Sequence, residues 1–209
     1  MTLRAWALGL LAALTLSGCA AVTTHGGDAS IEEVRAAVYR HDGPPKLTLY
    51  TMINNRSGAG AHTSLMINAS QRVIFDPAGS VRYDTVPEIG DVLYGVTPRV
   101  ADSYARAHAR ETYHVVIQEV EVSREVAERA LQLAIRNGTV PSAQCAASTS
   151  ALLRQLPGFQ TISSTWFPKN LMEQFGALPG VKTRRLFEND ADDKTLAIEA
   201  FDAAAAQGG

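Results

Sequence analysis

Cys145 stands in Val140–Pro157, which reads VPSAQCAASTSALLRQLP. Pro141 and Ser142 form a helix-start signal, with the Ser142 hydroxyl able to accept from an orphan backbone N–H. The helix is expected from about Ala143 to Leu156, stopped by Pro157-Gly158. Cys145 then lies in its first turn, where the partial positive charge of a helix N-terminus favours a thiolate and lowers the cysteine pKa. The competing reading is that Cys145 shares a helical stripe with Leu152 and Leu156 and is a small buried apolar residue. A nucleophilic thiolate also needs a base and a group that orients the base. His62 opens a strand directly after a glycine-rich loop, the histidine position most open to a substrate. Asp76 lies in the next strand and could accept from the imidazole; as the residue before Pro77 it could equally be a turn former. Of the other histidines, His25 is in a polar N-terminal stretch, His41 borders Gly43-Pro44-Pro45, His108 is expected on the surface near a helix end, and His114 lies inside a strand.

The elements that must position these residues are legible from pattern. Ser30 to Glu33 is a capping box, followed by a helix toward Tyr39 or a competing strand in VRAAVYRH. KLTLYTMI (Lys46–Ile53), HTSLMI (His62–Ile67) and RVIFD (Arg72–Asp76) read as strands. The last two form a hairpin whose four-residue turn Asn68–Gln71 places Pro77 opposite His62, or Asp76 if one strand carries a bulge. A short strand is expected over Val92–Val96 and a helix from Thr97-Pro98 to about Ala109. A long strand follows over Glu111–Val122, then a helix over Arg124–Asn137 capped by Ser123 and stopped by Gly138. Pro168 opens a short helix to Phe175, and Val181–Phe187 is a last strand. Residues 188–209 are acidic, then Ala-rich, and read as a tail with at most a loose helix. The pattern is α+β, an antiparallel sheet packed on a helix that carries the cysteine.

The N-terminus narrows the chemistry. Arg4 precedes an apolar run from Ala5 to Leu16, and small residues lead to Cys19, the arrangement of a secretory signal peptide over residues 1–18. Leu16-Ser17-Gly18-Cys19 resembles the bacterial lipobox, which implies cleavage before Cys19, a lipid on its sulfur and a membrane partner through that anchor. Ala20 in place of Asp leans toward the outer membrane. Residues 19–30 are a tether, 31–187 a single domain and 188–209 the tail. The chain has two cysteines, so a mature protein lipidated on Cys19 keeps Cys145 as its one free thiol, in an oxidising compartment, where an unpaired cysteine needs a reason. Net charge is −2 with scattered Arg and Lys, so nucleic acid is not an expected partner. No pair of His, Cys or acidic residues has metal-ligand spacing on one element, so no metal or other cofactor is expected.

His62 on a strand, a polar residue on the next strand and Cys145 at the head of a later helix together resemble the circularly permuted NlpC-type papain-like family. That group includes YiiX-like and lecithin:retinol acyltransferase-like proteins. The resemblance covers Leu47–Leu178, and the turn Thr165-Trp166-Phe167-Pro168 resembles the Thr-Pro turn after the cysteine helix in some members. Two positions depart from the family pattern: Gln144 stands where Asn often precedes the cysteine, and the hairpin offers Phe75 and Asp76 where a third His is common. The resemblance implies thiol chemistry on an amide or ester, with Cys145 attacking, His62 moving the proton and the oxyanion held by the Cys145 N–H and the Gln144 side chain. Stem peptides of peptidoglycan, or lipids, are the substrates it implies for a periplasm-facing lipoprotein. A cysteine amidase or peptidase is the reading that follows. A non-catalytic module with a papain-like shell and a thiol acyltransferase on lipid are the alternatives.

Overall fold

Alternation along Lys46–Asn54 sends Leu47 and Leu49 to one side of a strand and Tyr50 and Met52 to the other. All four are buried, so this strand must lie inside a sheet covered on both faces. The structure is a computed structural model describing residues 28–207. The expected signal peptide, Cys19 and His25 lie outside the described residues.

Among those residues the strands are β1 (Lys46–Asn54), β2 (Gly60–Asn68), β3 (Arg72–Phe75), β4 (Glu88–Ile89), β5 (Val92–Leu93), β6 (Tyr113–Glu121) and β7 (Lys182–Leu186). They form one seven-stranded antiparallel sheet in the order β4-β5-β3-β2-β1-β6-β7. The helices are α1 (Ile31–Ala37), α2 (Pro98–His108), α3 (Arg124–Asn137), α4 (Cys145–Leu153), α5 (Pro168–Gly176) and α6 (Thr195–Gln207). The fold is α+β, as expected. No helix among the described residues is long and apolar enough to cross a membrane.

Each face of the sheet has its own core. On one, Leu47, Leu49, Leu65 and Ile67 pack against Ala130 and Leu131 of α3, Leu152 and Leu153 of α4 and Leu171 and Phe175 of α5. On the other, Tyr50, Met66, Ile74 and Ile117 pack against Val100, Tyr104 and Ala107 of α2, with Ile198 and Phe201 of α6 closing the outside. Helix α2 presents this face because residues 100, 104 and 107 fall on one stripe.

Three expectations need correction. The hairpin closes with Asn68 paired to Arg72, leaving a three-residue loop rather than four and shifting the register by one. Helix α4 starts at Cys145, not Ala143, because Ala143 has φ 63° and a left-handed residue cannot continue a helix. Ser142 therefore belongs to the preceding turn and caps nothing. The acidic tail is docked: Glu188 pairs with Arg106, Asp190 with Arg110 at 3.5 Å, and Asp192 accepts from the Thr112 N–H at 2.9 Å. Asp202 of α6 accepts from the N–H groups of Asp84 and Thr85, and Phe201 meets Tyr83 edge-on at 4.9 Å. The acidic side chains of the tail are its anchors on basic residues and N–H groups of the body.

Candidate active site

Within β2, His62 has the parity of Ser64 and Met66 and so faces α2. Leu65 pairs with Phe75, and continuing that register sets Ser64 against Asp76. His62 lies two residues farther along the same face and meets Asp76 diagonally rather than across a rung. Neither Pro77 nor Asp76 stands directly opposite His62, contrary to the expected alternatives. The partnership forms nonetheless: His62 Nε2 lies 2.6 Å from Asp76 Oδ1.

Asp76 is 3% exposed. A carboxylate so deep must have donors around it. Tyr104 Oη lies 2.8 Å from Asp76 Oδ1 and 2.7 Å from Ser64 Oγ. A phenol has one proton; given to the carboxylate, it leaves the phenol oxygen to accept from Ser64. Burial raises the Asp76 pKa, but the charge and hydrogen bond of His62, with help from Tyr104, outweigh it and hold the carboxyl below its ordinary value.

On His62 the balance runs the other way. Burial opposes the imidazolium, yet the Asp76 charge and hydrogen bond, together with Cys145, raise the pKa to about 10. With Nε2 committed to Asp76, Nδ1 is the nitrogen left for the thiol. Cys145 is 6% exposed. Burial raises its pKa, but the hydrogen bond with His62, the His62 charge and the N–H groups of Thr63 and Ala146 bring it below the ordinary thiol value. Opposite shifts on two neighbouring groups, each acting on the other, are those of a thiolate–imidazolium pair.

The head of α4 is built for a negative charge. Gln144 is the N-cap, with φ −106° and ψ 12°, and no side chain caps the helix. Its first-turn N–H groups thus remain without a capping acceptor. The Cys145 N–H and its neighbours can stabilise an oxyanion formed beside the sulfur. The Gln144 side chain is half-buried and makes no hydrogen bond among the described residues, so it can turn toward that oxyanion.

Three supporting features escaped the sequence reading. His108 was expected on the surface, but it is partly buried and stacks on His62, with centroids 5.9 Å apart and planes at 18°. Its Nδ1–H donates to the Tyr104 carbonyl at 2.9 Å, and burial lowers its pKa to about 4, so the ring stays neutral beside the imidazolium. Tyr104 and His108 are four apart on the stripe that faces the sheet, and that spacing was the available signal. Asp91 is the second feature. Its Oδ2 accepts from the Ala78 and Val140 N–H groups at 2.8 and 2.9 Å, and its carbonyl accepts from the Asp76 N–H at 2.8 Å. It ties the turn that holds Asp76 to the segment that leads into α4.

Gly79 is the third. A Cβ there would lie 1.9 Å from Asp76 Oδ2, so the carboxylate occupies the space a side chain would need. Gly79→Ala is expected to push the carboxylate off His62. Overpacking of this kind costs about 1–3 kcal/mol, and thermal unfolding measures it. The same variant should lose the strongly hydrogen-bonded imidazole N–H signal of His62 in a proton NMR spectrum. A retained signal with unchanged stability would show that the turn yields freely.

The remaining histidines within the described residues serve other contacts. His41 Nδ1 accepts from the Gly43 N–H at 2.8 Å. His114 sits 2.7 Å from Asn55 Oδ1 and stacks on Phe187 at 4.4 Å. Cys145, His62 and Asp76 therefore converge, while His41 and His114 do not join them. No family model, curated protein or solved structure matches the chain.

Proposed function

We propose that this chain is an envelope lipoprotein with cysteine hydrolase activity of the amidase or peptidase kind, on a permuted papain-like scaffold. The observation that carries the proposal is the convergence itself: His62 Nε2 lies 2.6 Å from the buried Asp76 carboxylate, and His62 and Cys145 are close enough that each shifts the pKa of the other. The Cys145 thiolate attacks a carbonyl carbon, forming the C–S bond of a tetrahedral adduct whose oxyanion meets the α4 N–H groups. The adduct collapses, the C–N or C–O bond breaks, and the imidazolium gives its proton to the leaving atom. Neutral His62 then takes a proton from water, the hydroxyl attacks the thioester, and the acid departs as the thiolate–imidazolium pair returns. Asp76 keeps the imidazole in the tautomer that makes both transfers possible.

The test uses 4-nitrophenyl acetate. The expected result is a burst of one nitrophenolate per protein molecule, followed by steady turnover, with Cys145→Ala showing neither. Acetylation of Cys145 without turnover would favour the non-catalytic module. The envelope location rests on the lipobox at Leu16–Cys19. Cys19→Ala should leave the precursor uncleaved or the protein out of the detergent phase. A processed Cys19→Ala protein that still partitions into detergent would overturn the anchor.

A further inference from the structure

A cavity of about 200 Å³ lies against the His62 ring, lined by Met52, Ala107, His108, Arg110, Asp192 and Lys194 among others, but not by Cys145. In the hydrolysis proposed above, His62 protonates the leaving atom, so the leaving fragment must lie on the imidazole and away from the sulfur. That is where this cavity is.

Its charges are unequal in commitment. Arg110 pairs with Asp190 at 3.5 Å and donates through Nε to the Ala107 carbonyl at 3.3 Å. Asp192 spends its carboxylate on Thr112, accepting from the N–H with one oxygen and from the hydroxyl with the other. Lys194 is different. Its ammonium donates to the Ser80 hydroxyl, and among the described residues it has no carboxylate partner. An ammonium has three donors, so two remain. The group is half-buried beside the apolar walls of Met52 and Ala107, where water screens a charge less than in bulk. The segment is fixed rather than loose, because α6 begins one residue later and is held through Phe201 and Asp202.

We propose that this cavity seats the leaving end of the substrate and that Lys194 selects a leaving amine that carries a carboxylate. The assignment rests on the hydrolase reading. A volume of about 200 Å³ suits a single amino-acid residue or a small aromatic amine. The enzyme would then release amino acids, or short fragments whose carboxylate lies close to the cleaved bond.

The probes are 4-aminobenzoate and its neutral near-isostere 4-aminobenzamide, titrated calorimetrically into wild-type protein, Lys194→Gln and Lys194→Arg. Wild type should bind the carboxylate at least about tenfold more tightly than the amide, the yield of one charge-assisted contact. Lys194→Gln should lose about ten- to hundredfold in carboxylate affinity with little change for the amide, and Lys194→Arg should keep the preference. Equal affinities in wild type, binding of neither probe, or an unchanged preference in Lys194→Gln would overturn the inference. The nitrophenyl acetate burst separates the two readings. A burst without carboxylate preference removes the Lys194 assignment and leaves the hydrolase. Carboxylate binding without a burst removes the leaving-group role along with the hydrolase.

Discussion

In a His62→Ala protein, iodoacetamide should label Cys145 only as the solution approaches the ordinary thiol range, near pH 8.5 or above. The wild-type protein should label well below it. The reason lies in the two shifts. Burial alone pushes the Cys145 thiol up, and the hydrogen bond and charge of His62 are the leading forces that bring it down. Removing the ring leaves burial opposed only by the Thr63 and Ala146 N–H groups and the helix end. At about pH 6 the labelling rate should fall at least about tenfold, since each unit of pKa changes the thiolate fraction tenfold. The wild-type profile has a definite sign. Thiolate appears as pH rises through the lowered Cys145 pKa, and the imidazolium partner is lost as pH rises through about 10. His108, held neutral, adds no charge between these limits. Labelling followed by mass spectrometry from about pH 5 to 9 reads the difference. Superimposable profiles would take His62 out of the site.

The sequence exposed those parts of this site that depend on local pattern. The strands over Lys46–Ile53 and His62–Ile67 were legible because β-branched and apolar residues alternate there, and a sheet buried on both faces needs both sets. The start at Pro168 is set by backbone chemistry alone, whereas α4 ends at Leu153, ahead of the Pro157 that reads as its stop. What failed depended on tertiary context. Pro141-Ser142 reads as a cap until Ala143 takes a left-handed φ, and nothing local announces that an alanine will do so. His108 reads as surface because it is the last residue of α2, yet its spacing from Tyr104 places it on the packed stripe. Gly79 carries no local signal of its role: the Asp76 carboxylate lies where a Cβ would be, a contact absent from any sequence pattern. The tail read as at most a loose helix because Ala-rich ends fray, and its partners Arg106, Arg110 and Thr112 are about 80 residues away.

Asp76→Asn should slow acylation of Cys145 by about 10- to 100-fold while the protein remains folded. The size follows from what the carboxylate does. In serine triads the equivalent change costs about 10⁴, because the nucleophile depends wholly on the base. Here Thr63 and Ala146 N–H groups also favour the thiolate, so the loss is smaller. An amide in this pocket can accept through Oδ1 or donate through Nδ2. Donation to His62 Nε2 would fix the proton on Nδ1, the nitrogen left for the thiol, and block transfer from the thiol. The alternative role for Asp76, forming the turn before Pro77, gains little from the observed bonds. The Asp76 backbone carbonyl accepts from Gly79, the Ala78 N–H goes to Asp91, and the Asp76 Oδ1 faces His62 and Tyr104. The turn does not call on the carboxylate, so asparagine has no turn role to inherit. Titration of His62 by NMR is the independent readout. With Asp76 neutral, burial meets only the Cys145 contribution, and the imidazole pKa should fall from about 10 toward the ordinary range. The sign carries over to stability. A His pKa raised on folding stabilises fully below about 6.5, and that contribution disappears as pH rises through about 10. Thermal unfolding of the wild-type protein should therefore lose ground across that window, and the slope should flatten in Asp76→Asn. An unchanged His62 titration in the variant would assign the ring's orientation to another group and remove Asp76 from the relay.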